Sequence, residues 1–342
     1  MGGKRENEVF LSRSAAECPW QTREQRAGNQ EAFQGAAACG RPSPMGIRRH
    51  SPVGCCASRI KHEGLHKILR EGKQQGMHFH LCLAKPATGM NYMIKEEGPY
   101  RYIEEGSGKP LVLLHGLFGA LSNFREVIDH FRHHYTVVIP MLPLYSMPVL
   151  NTGVKTLGHF LRDFINYKQW NSVNLLGNSL GGHVALIYTR EFPHKVSALI
   201  LTASSGLYEN AFGSSFPRRE DKEFIRKKVA VTFYDPKHAT DELVDECFEV
   251  VNDRNRVLRI LALAKSAIRH NMAKDLPNMK MPSCLIWGKN DTITPPEVAE
   301  EFNQLLPQSS LYWIDQCGHA PMMEHPQQFN QLLDAWFKEH GF

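Results

Sequence analysis

A serine flanked by glycines, Gly177-Asn178-Ser179-Leu180-Gly181, stands between an apolar run, Val173-Asn174-Leu175-Leu176, and a helical pattern, Val184-Ala185-Leu186-Ile187-Tyr188. A strand, a sharp turn and a helix in that order force strained backbone angles on the serine, and glycines two residues to either side let strand and helix pass closely. The hydroxyl is then held out where a carbonyl can meet it. The amide of Leu180 falls at the start of the helix, where unpaired N–H groups and the positive dipole end can receive a developing oxyanion. A five-residue pattern recurs by chance, so the chemistry rests on its partners.

A serine hydroxyl is a weak nucleophile near neutral pH; it needs a base, and the base needs a group that fixes its tautomer. Both lie downstream. Cys284-Leu285-Ile286-Trp287 reads as a buried strand running into a polar turn that carries Asp291, and Leu311-Tyr312-Trp313-Ile314 reads as another, followed by Cys317-Gly318-His319. Upstream, Leu111-Val112-Leu113-Leu114-His115-Gly116 is a strand ending in a flexible loop, and Leu117 or Phe118 can supply a second oxyanion donor from it. Asn123, at the start of the next helix, either lines the pocket or caps that helix. Taken singly, Ser179 is a turn residue, Asp291 an Asx-turn former and His319 a loop histidine. Their joint order at successive strand ends is what points to catalysis.

In these motifs the chain from about residue 98 to 342 resembles the α/β-hydrolase superfamily. The resemblance implies a serine hydrolase with Ser179 as nucleophile, His319 as base, Asp291 as orienting acid, and an oxyanion hole from Leu180 with Leu117 or Phe118. It requires no metal and no organic cofactor. Within the superfamily, Gly177-Asn178-Ser179, Ser122-Asn123-Phe124 and Cys317-Gly318-His319 are most similar to meta-cleavage product hydrolases, which break a carbon–carbon bond of ring-fission dienoates. Three departures stand against that branch: a shorter turn after His115-Gly116, Ala320 where an aromatic would follow the histidine, and Cys247 where a cap arginine would stand. The expected reaction is therefore cleavage of a carboxylic ester or related acyl bond of a small molecule. Carbon–carbon cleavage of a ketone substrate and a non-catalytic ligand receptor on the same fold are the alternatives.

These residues must be positioned by an α/β architecture: a mostly parallel central sheet, helices on both faces, and a helical cap insertion. Strands are expected at 100–104, 111–115, 136–139, 173–176, 198–202, 283–287 and 311–314, and helices at 123–130, 155–167, 180–191, 296–305 and 326–340. Some 80 residues separate the strands at 198–202 and 283–287, where a crossover needs about a dozen. Helices are expected there at 220–231, 241–251 and 254–270, within a cap spanning about 204–275. Phe212, Phe216, Phe224, Phe233 and Phe248 give the cap an apolar inner face. Arg218, beside Arg219, can hold a substrate carboxylate, although a paired-arginine loop is also an ordinary solvated surface; Arg254, Arg256 and Arg259 read as a solvated helix face.

Charge is uneven along the 342 residues. Residues 1–90 hold 14 Lys+Arg against 7 Asp+Glu, a net of +7; residues 91–342 hold 26 against 28, a net of −2, which together make the chain's +5. The basic residues read as scattered, with no helix-spaced stripe or interleaved aromatics, so no nucleic-acid partner is expected. Residues 1–89 lack sustained periodicity and are expected to be a disordered or non-functional basic leader, with Met77, Met90 and Met93 as internal candidates for the start and residues 90–342 as the catalytic domain. No apolar stretch there is long enough for a signal peptide or a membrane span, so a cytoplasmic enzyme with free thiols is expected. His62 and His66 lack a third ligand for a metal. Oligomeric state has no signature.

Overall fold

A computed structural model describes residues 92–118, 124–210 and 218–342, all within the unit spanning 78–342. The expectations for residues 1–89, for Asn123 and for Phe212 and Phe216 lie outside the described residues. The strands are β1 (Ile94–Glu97), β2 (Tyr100–Glu105), β3 (Lys109–Leu114), β4 (Tyr135–Pro140), β5 (Val173–Asn178), β6 (Val196–Thr202), β7 (Ser283–Gly288) and β8 (Ser309–Ile314). The helices among the described residues are α1 (Arg125–Phe131), α2 (Val154–Tyr167), α3 (Leu180–Glu191), α4 (Lys222–Ala230), α5 (Asp241–Asn252), α6 (Arg254–Arg269), α7 (Pro296–Leu305), α8 (Pro321–Glu324) and α9 (Pro326–Glu339). None is long and apolar enough to cross a membrane.

The strands form one sheet in the order β1-β2-β4-β3-β5-β6-β7-β8; β1 and β2 are antiparallel to their neighbours, and β4, β3 and β5 to β8 run parallel. Successive residues of a strand point to opposite faces, so a strand covered on both faces reads as a continuous apolar run. Strand β3 shows the division: Val112 and Leu114 enter one core with α2, α3 and α7, while Leu111 and Leu113 enter the other with α1 and α9. The same alternation divides Leu199 and Leu201 from Ala198 and Ile200 on β6.

The short helix α8 is unexpected, and strand β1 is the one strand among the described residues that apolar patterning does not reveal. Its sequence, Ile-Lys-Glu-Glu, is half-buried to exposed, and it is held as an edge by pairing with β2 and by Lys95 on Glu104 at 2.8 Å. Charged side chains on an edge block further strand addition, so an edge has no need of alternation.

From β3 the chain goes to β4 on one side and then returns to β5 on the other, which makes the β3/β5 boundary a topological switch point. Loops leaving the carboxyl ends of two such strands diverge and leave a crevice between them, the usual ligand site of open α/β sheets. His115-Gly116 leaves β3 there, and Ser179 leaves β5.

Buried between α3 and the end of α6, His183 Nε2 meets His270 Nδ1 at 3.0 Å, and His183 Nδ1 has no partner among the described residues. Burial, followed by the charges of His270 and Arg190, pushes the His183 pKa down to about 3. The unfolded chain therefore binds a proton between pH 6.5 and 3 that the folded chain refuses. Stability is complete above the unfolded pKa and falls as pH drops below it, by about 2 kcal/mol at pH 5 at roughly 1.4 kcal/mol per unit. Urea unfolding at pH 7 and pH 5 is expected to show this loss in the wild type and to show about 2 kcal/mol less of it in His183→Gln. Equal losses in the two proteins would assign the acid sensitivity elsewhere.

Candidate active site

Ser179 adopts φ 54°, ψ −121°, a region sparsely populated by residues with a side chain. The surrounding backbone holds it there. Its N–H donates to Thr202 O at 3.2 Å, and its carbonyl accepts from His183 N at 3.2 Å and Ser205 N at 3.1 Å. A Cβ on Gly181 would collide with the carbonyl oxygen of Leu114, and one on Gly177 would lie 2.5 Å from Gly182 Cα, which is why the two flanking positions have none. From Val173 to Thr189 every residue is buried except Ser179. Strain and exposure thus coincide on the one side chain that could act.

Leu180 is the first residue of α3, and its N–H has no acceptor within the helix by position. Facing it, a Cβ on Gly116 would stand 3.3 Å from Ser179 Cβ, so the loop carrying Leu117 and Phe118 passes directly beside the serine. His115 braces that loop: its Nδ1 donates to Gly116 O at 2.9 Å, and its Nε2 accepts from Leu142 N at 3.3 Å. An accepting Nε2 requires a neutral ring, and burial holds the His115 pKa below the ordinary imidazole value.

Asp291 and His319 are brought together from loops 28 residues apart. His319 Nδ1 lies 2.9 Å from Asp291 Oδ2, with both side chains almost wholly buried. The other carboxylate oxygen, Oδ1, accepts from Ile293 N at 2.8 Å and Thr294 N at 3.0 Å. Asp291 therefore does form the local turn that its sequence neighbourhood suggests, and still has one oxygen left for the histidine. Thr294 completes the arrangement, donating its hydroxyl to Asp291 Oδ2 at 2.7 Å. With Nδ1–H bonded to a carboxylate, Nε2 of the imidazole is left as the acceptor a general base needs.

Besides Thr294, sequence reasoning missed three residues here. Asn178, singled out only as a hint of family branch, is a strut: its Nδ2 donates to Thr202 O at 3.1 Å and to His319 O at 3.2 Å, tying the serine turn to the histidine loop. Glu324 is a second tie. Its Oε1 accepts from Gly318 N at 2.6 Å and its Oε2 from Tyr234 N at 2.8 Å, so one buried carboxylate joins the histidine loop to the segment after α4. His319 N also donates to Thr232 O at 2.8 Å. The third, Glu209, accepts from Ser205 Oγ at 2.5 Å, next to the residue whose amide holds the Ser179 carbonyl. Burial raises its pKa, and the Ser205 bond and the nearby His319 charge oppose that rise. No spacing rule reveals these residues: Asn178 and Glu324 act through contacts distant in sequence, and the Ser205–Glu209 contact gains its meaning only where Ser205 meets Ser179.

Other expected residues are placed less centrally. Arg218 lies in an exposed turn before α4 and makes no ion pair among the described residues. Cys247 is buried on α5, where burial and then the Glu246 charge push its thiol up to about 12; Cys317 is buried too, with its Sγ 3.7 Å from Glu324 Oε1. Phe233 is buried, and Phe224 and Phe248 pack against the same core as α4 and α5, so these aromatics hold the helical segment together. Arg256 and Arg259 depart from a simple solvated face. Arg256 pairs with Asp253 at 3.5 Å and lies over the Tyr145 ring, and Arg259 donates to Met147 O at 2.6 Å.

A mostly parallel sheet, a strained serine at the switch point and a histidine–aspartate pair at two further strand ends define a hydrolase of the α/β-hydrolase fold. Comparison with known proteins agrees: the family model described as alpha/beta hydrolase fold matches residues 109–236 and 250–326, and the chain belongs to that family. Among solved structures it is similar to MGS-MChE2, an alpha/beta hydrolase enzyme from the metagenome of lagoon sediments of Mar Chica, Morocco. The two are 52% identical with a TM-score of 0.62, over 73% of this chain and 100% of that one. Among curated sequences it is similar to the uncharacterized hydrolase YugF of Bacillus subtilis, 26% identical over 70% of this chain and 93% of the relative. It is also similar to the 2-hydroxy-6-oxo-2,4-heptadienoate hydrolase of Pseudomonas putida, 25% identical over 67% and 89%.

Proposed function

We propose that the chain hydrolyses carboxylic esters of small molecules through an acyl-enzyme on Ser179. The hydrogen-bonded His319–Asp291 pair, tied through Asn178 to the strained and accessible Ser179, carries this reading. His319 Nε2 takes the Ser179 proton as Oγ attacks the ester carbonyl, and Asp291 stabilises the imidazolium. The N–H of Leu180, with that of Leu117 or Phe118, receives the oxyanion, at about 3 to 4 kcal/mol per donor. The proton passes to the leaving alcohol, and water activated by the same histidine releases the acid. Residues 90–342 are the catalytic unit in this reading, and the helical segment between β6 and β7 closes over the site.

Cleavage of a carbon–carbon bond in a ring-fission dienoate is the second reading, favoured by the similarity to the dienoate hydrolase of Pseudomonas putida. Against it, Cys247 is buried in the α5 core, where it cannot offer the charge an arginine would give a substrate carboxylate. The deciding measurement is a panel of p-nitrophenyl esters of two to eight carbons beside a 2-hydroxy-6-oxo-dienoate. Turnover of the esters with the dienoate left largely intact is expected. Turnover of the dienoate alone would replace the ester reading with the second.

A further inference from the structure

Helix α6 carries Arg254, Arg256, Arg259, Lys265 and Arg269, and no acidic residue. The cations are not scattered once the helix is built. Arg256 and Arg259 turn inward to Asp253, Tyr145 and Met147, while Arg254, Lys265 and Arg269 are exposed and have no carboxylate partner among the described residues. At 3.6 residues per turn, Arg254, Leu258, Lys265 and Arg269 fall within an arc of about 60°. The stripe therefore mixes cations with leucine.

The segment 147–155 runs alongside. Ser266 Oγ accepts from Val154 N at 3.1 Å at the start of α2, and Gly153, Lys155, Lys265, Ser266 and Arg269 help to line a hollow of about 490 Å³. Lys155 is a fourth exposed cation without a carboxylate partner among the described residues. Next to it the chain turns its apolar side chains outward: Leu150 is 99% exposed, Val149 45%, Leu258 44% and Ile268 50%. A solvated helix surface intersperses both signs of charge and keeps large apolar side chains inside. Here Asp275, whose charge reaches His270 at this end, is already engaged by Arg190 at 3.6 Å.

We propose that the face made by α6 and residues 149–155 docks on an anionic lipid surface, with the four cations against phosphate headgroups and Leu150, Val149 and Leu258 entering the acyl boundary. A basic face with interleaved apolar side chains fits that partner because it offers both negative charge and an apolar layer. The other possible occupants lack one or both. A second copy of this face presents like charge, and residues 1–90 of this chain carry 14 Lys+Arg against 7 Asp+Glu, which repel it. A nucleic acid would meet the cations and leave Leu150 in water.

The inference is independent of the bond that the enzyme cleaves, since its test reads binding. The full chain is sedimented with vesicles of phosphatidylcholine alone and with vesicles carrying about a third phosphatidylglycerol, at low and high salt. Wild type is expected to bind the anionic vesicles 10²–10³-fold more tightly, at roughly three- to fivefold for each of the four cations, and to lose most of that preference in high salt. Lys265→Glu with Arg269→Glu should lower the preference at least tenfold relative to wild type. Leu150→Asp should weaken binding to the anionic vesicles at either salt, and both variants should turn over a soluble substrate as wild type does. Any contribution of residues 1–90 is common to all three proteins and cancels. Equal binding to both vesicle types, or anionic binding that neither variant alters, would overturn the proposal. So would an RNA that competes with the vesicles and whose own binding ignores Leu150→Asp.

Discussion

Ser179→Ala is expected to lower kcat for ester hydrolysis by about 10⁵–10⁶-fold with little change in stability, the scale seen when the nucleophile of a serine triad is removed. The structure separates these two effects. The hydrogen bonds that Ser179 itself contributes to the turn come from its backbone, with Thr202, His183 and Ser205, and the side chain makes no capping bond to α3. Alanine also bears the same φ of 54° at the same cost, since the strain comes from having a Cβ at all. Melting temperature and circular dichroism should therefore match the wild type. A fluorophosphonate probe should label the wild type at Ser179, the one accessible residue between Val173 and Thr189, and leave the variant unlabelled. Labelling at another serine, or an active alanine variant, would remove the basis of the proposed mechanism.

Asp291→Asn should cost about 10⁴-fold in kcat, or roughly 5 kcal/mol of transition-state stabilisation, while KM changes little. The hydrogen bonds force this result whichever way the amide turns. With its oxygen toward the amides of Ile293 and Thr294, as Oδ1 now sits, its NH₂ faces His319 Nδ1 and drives the ring to carry its proton on Nε2, where it cannot accept one from Ser179. With the amide reversed, the ring keeps its working tautomer, but two N–H donors meet an NH₂ and both bonds are lost. The first orientation retains more bonds and should prevail, giving a folded protein with an inert base. A stable variant within tenfold of wild-type kcat would show that another carboxylate orients His319, and Glu209 would be the residue to test.

The site was legible in the sequence to the extent that its parts are local. The turn at Gly177 to Gly181 is recognisable because strand, bend and helix follow each other directly, and the steric need for glycine leaves a mark at fixed spacing. Asp291 and His319 could be placed because each follows an apolar run, and a parallel sheet puts all such ends on one edge. The seven apolar strands were legible for the same reason; β1 was not, because an edge strand has no buried face to pattern. Cations on α6 looked scattered along the chain, since a stripe exists only once the helix turns.

What the sequence alone determined is which residues can react and at which end of the sheet they stand. What only the tertiary structure decided is how they are held. Asn178 reaches the His319 carbonyl across 141 residues, and Glu324 joins the loop of His319 to the segment after α4. Thr294 donates its hydroxyl hydrogen bond to the Asp291 oxygen that also accepts from His319. Such contacts leave no spacing in the chain, because each depends on the path taken by the backbone between the two partners. A catalytic group needs a particular type of side chain, which a sequence records; its support needs only a donor or acceptor at the right point in space, which many residues could supply and folding selects.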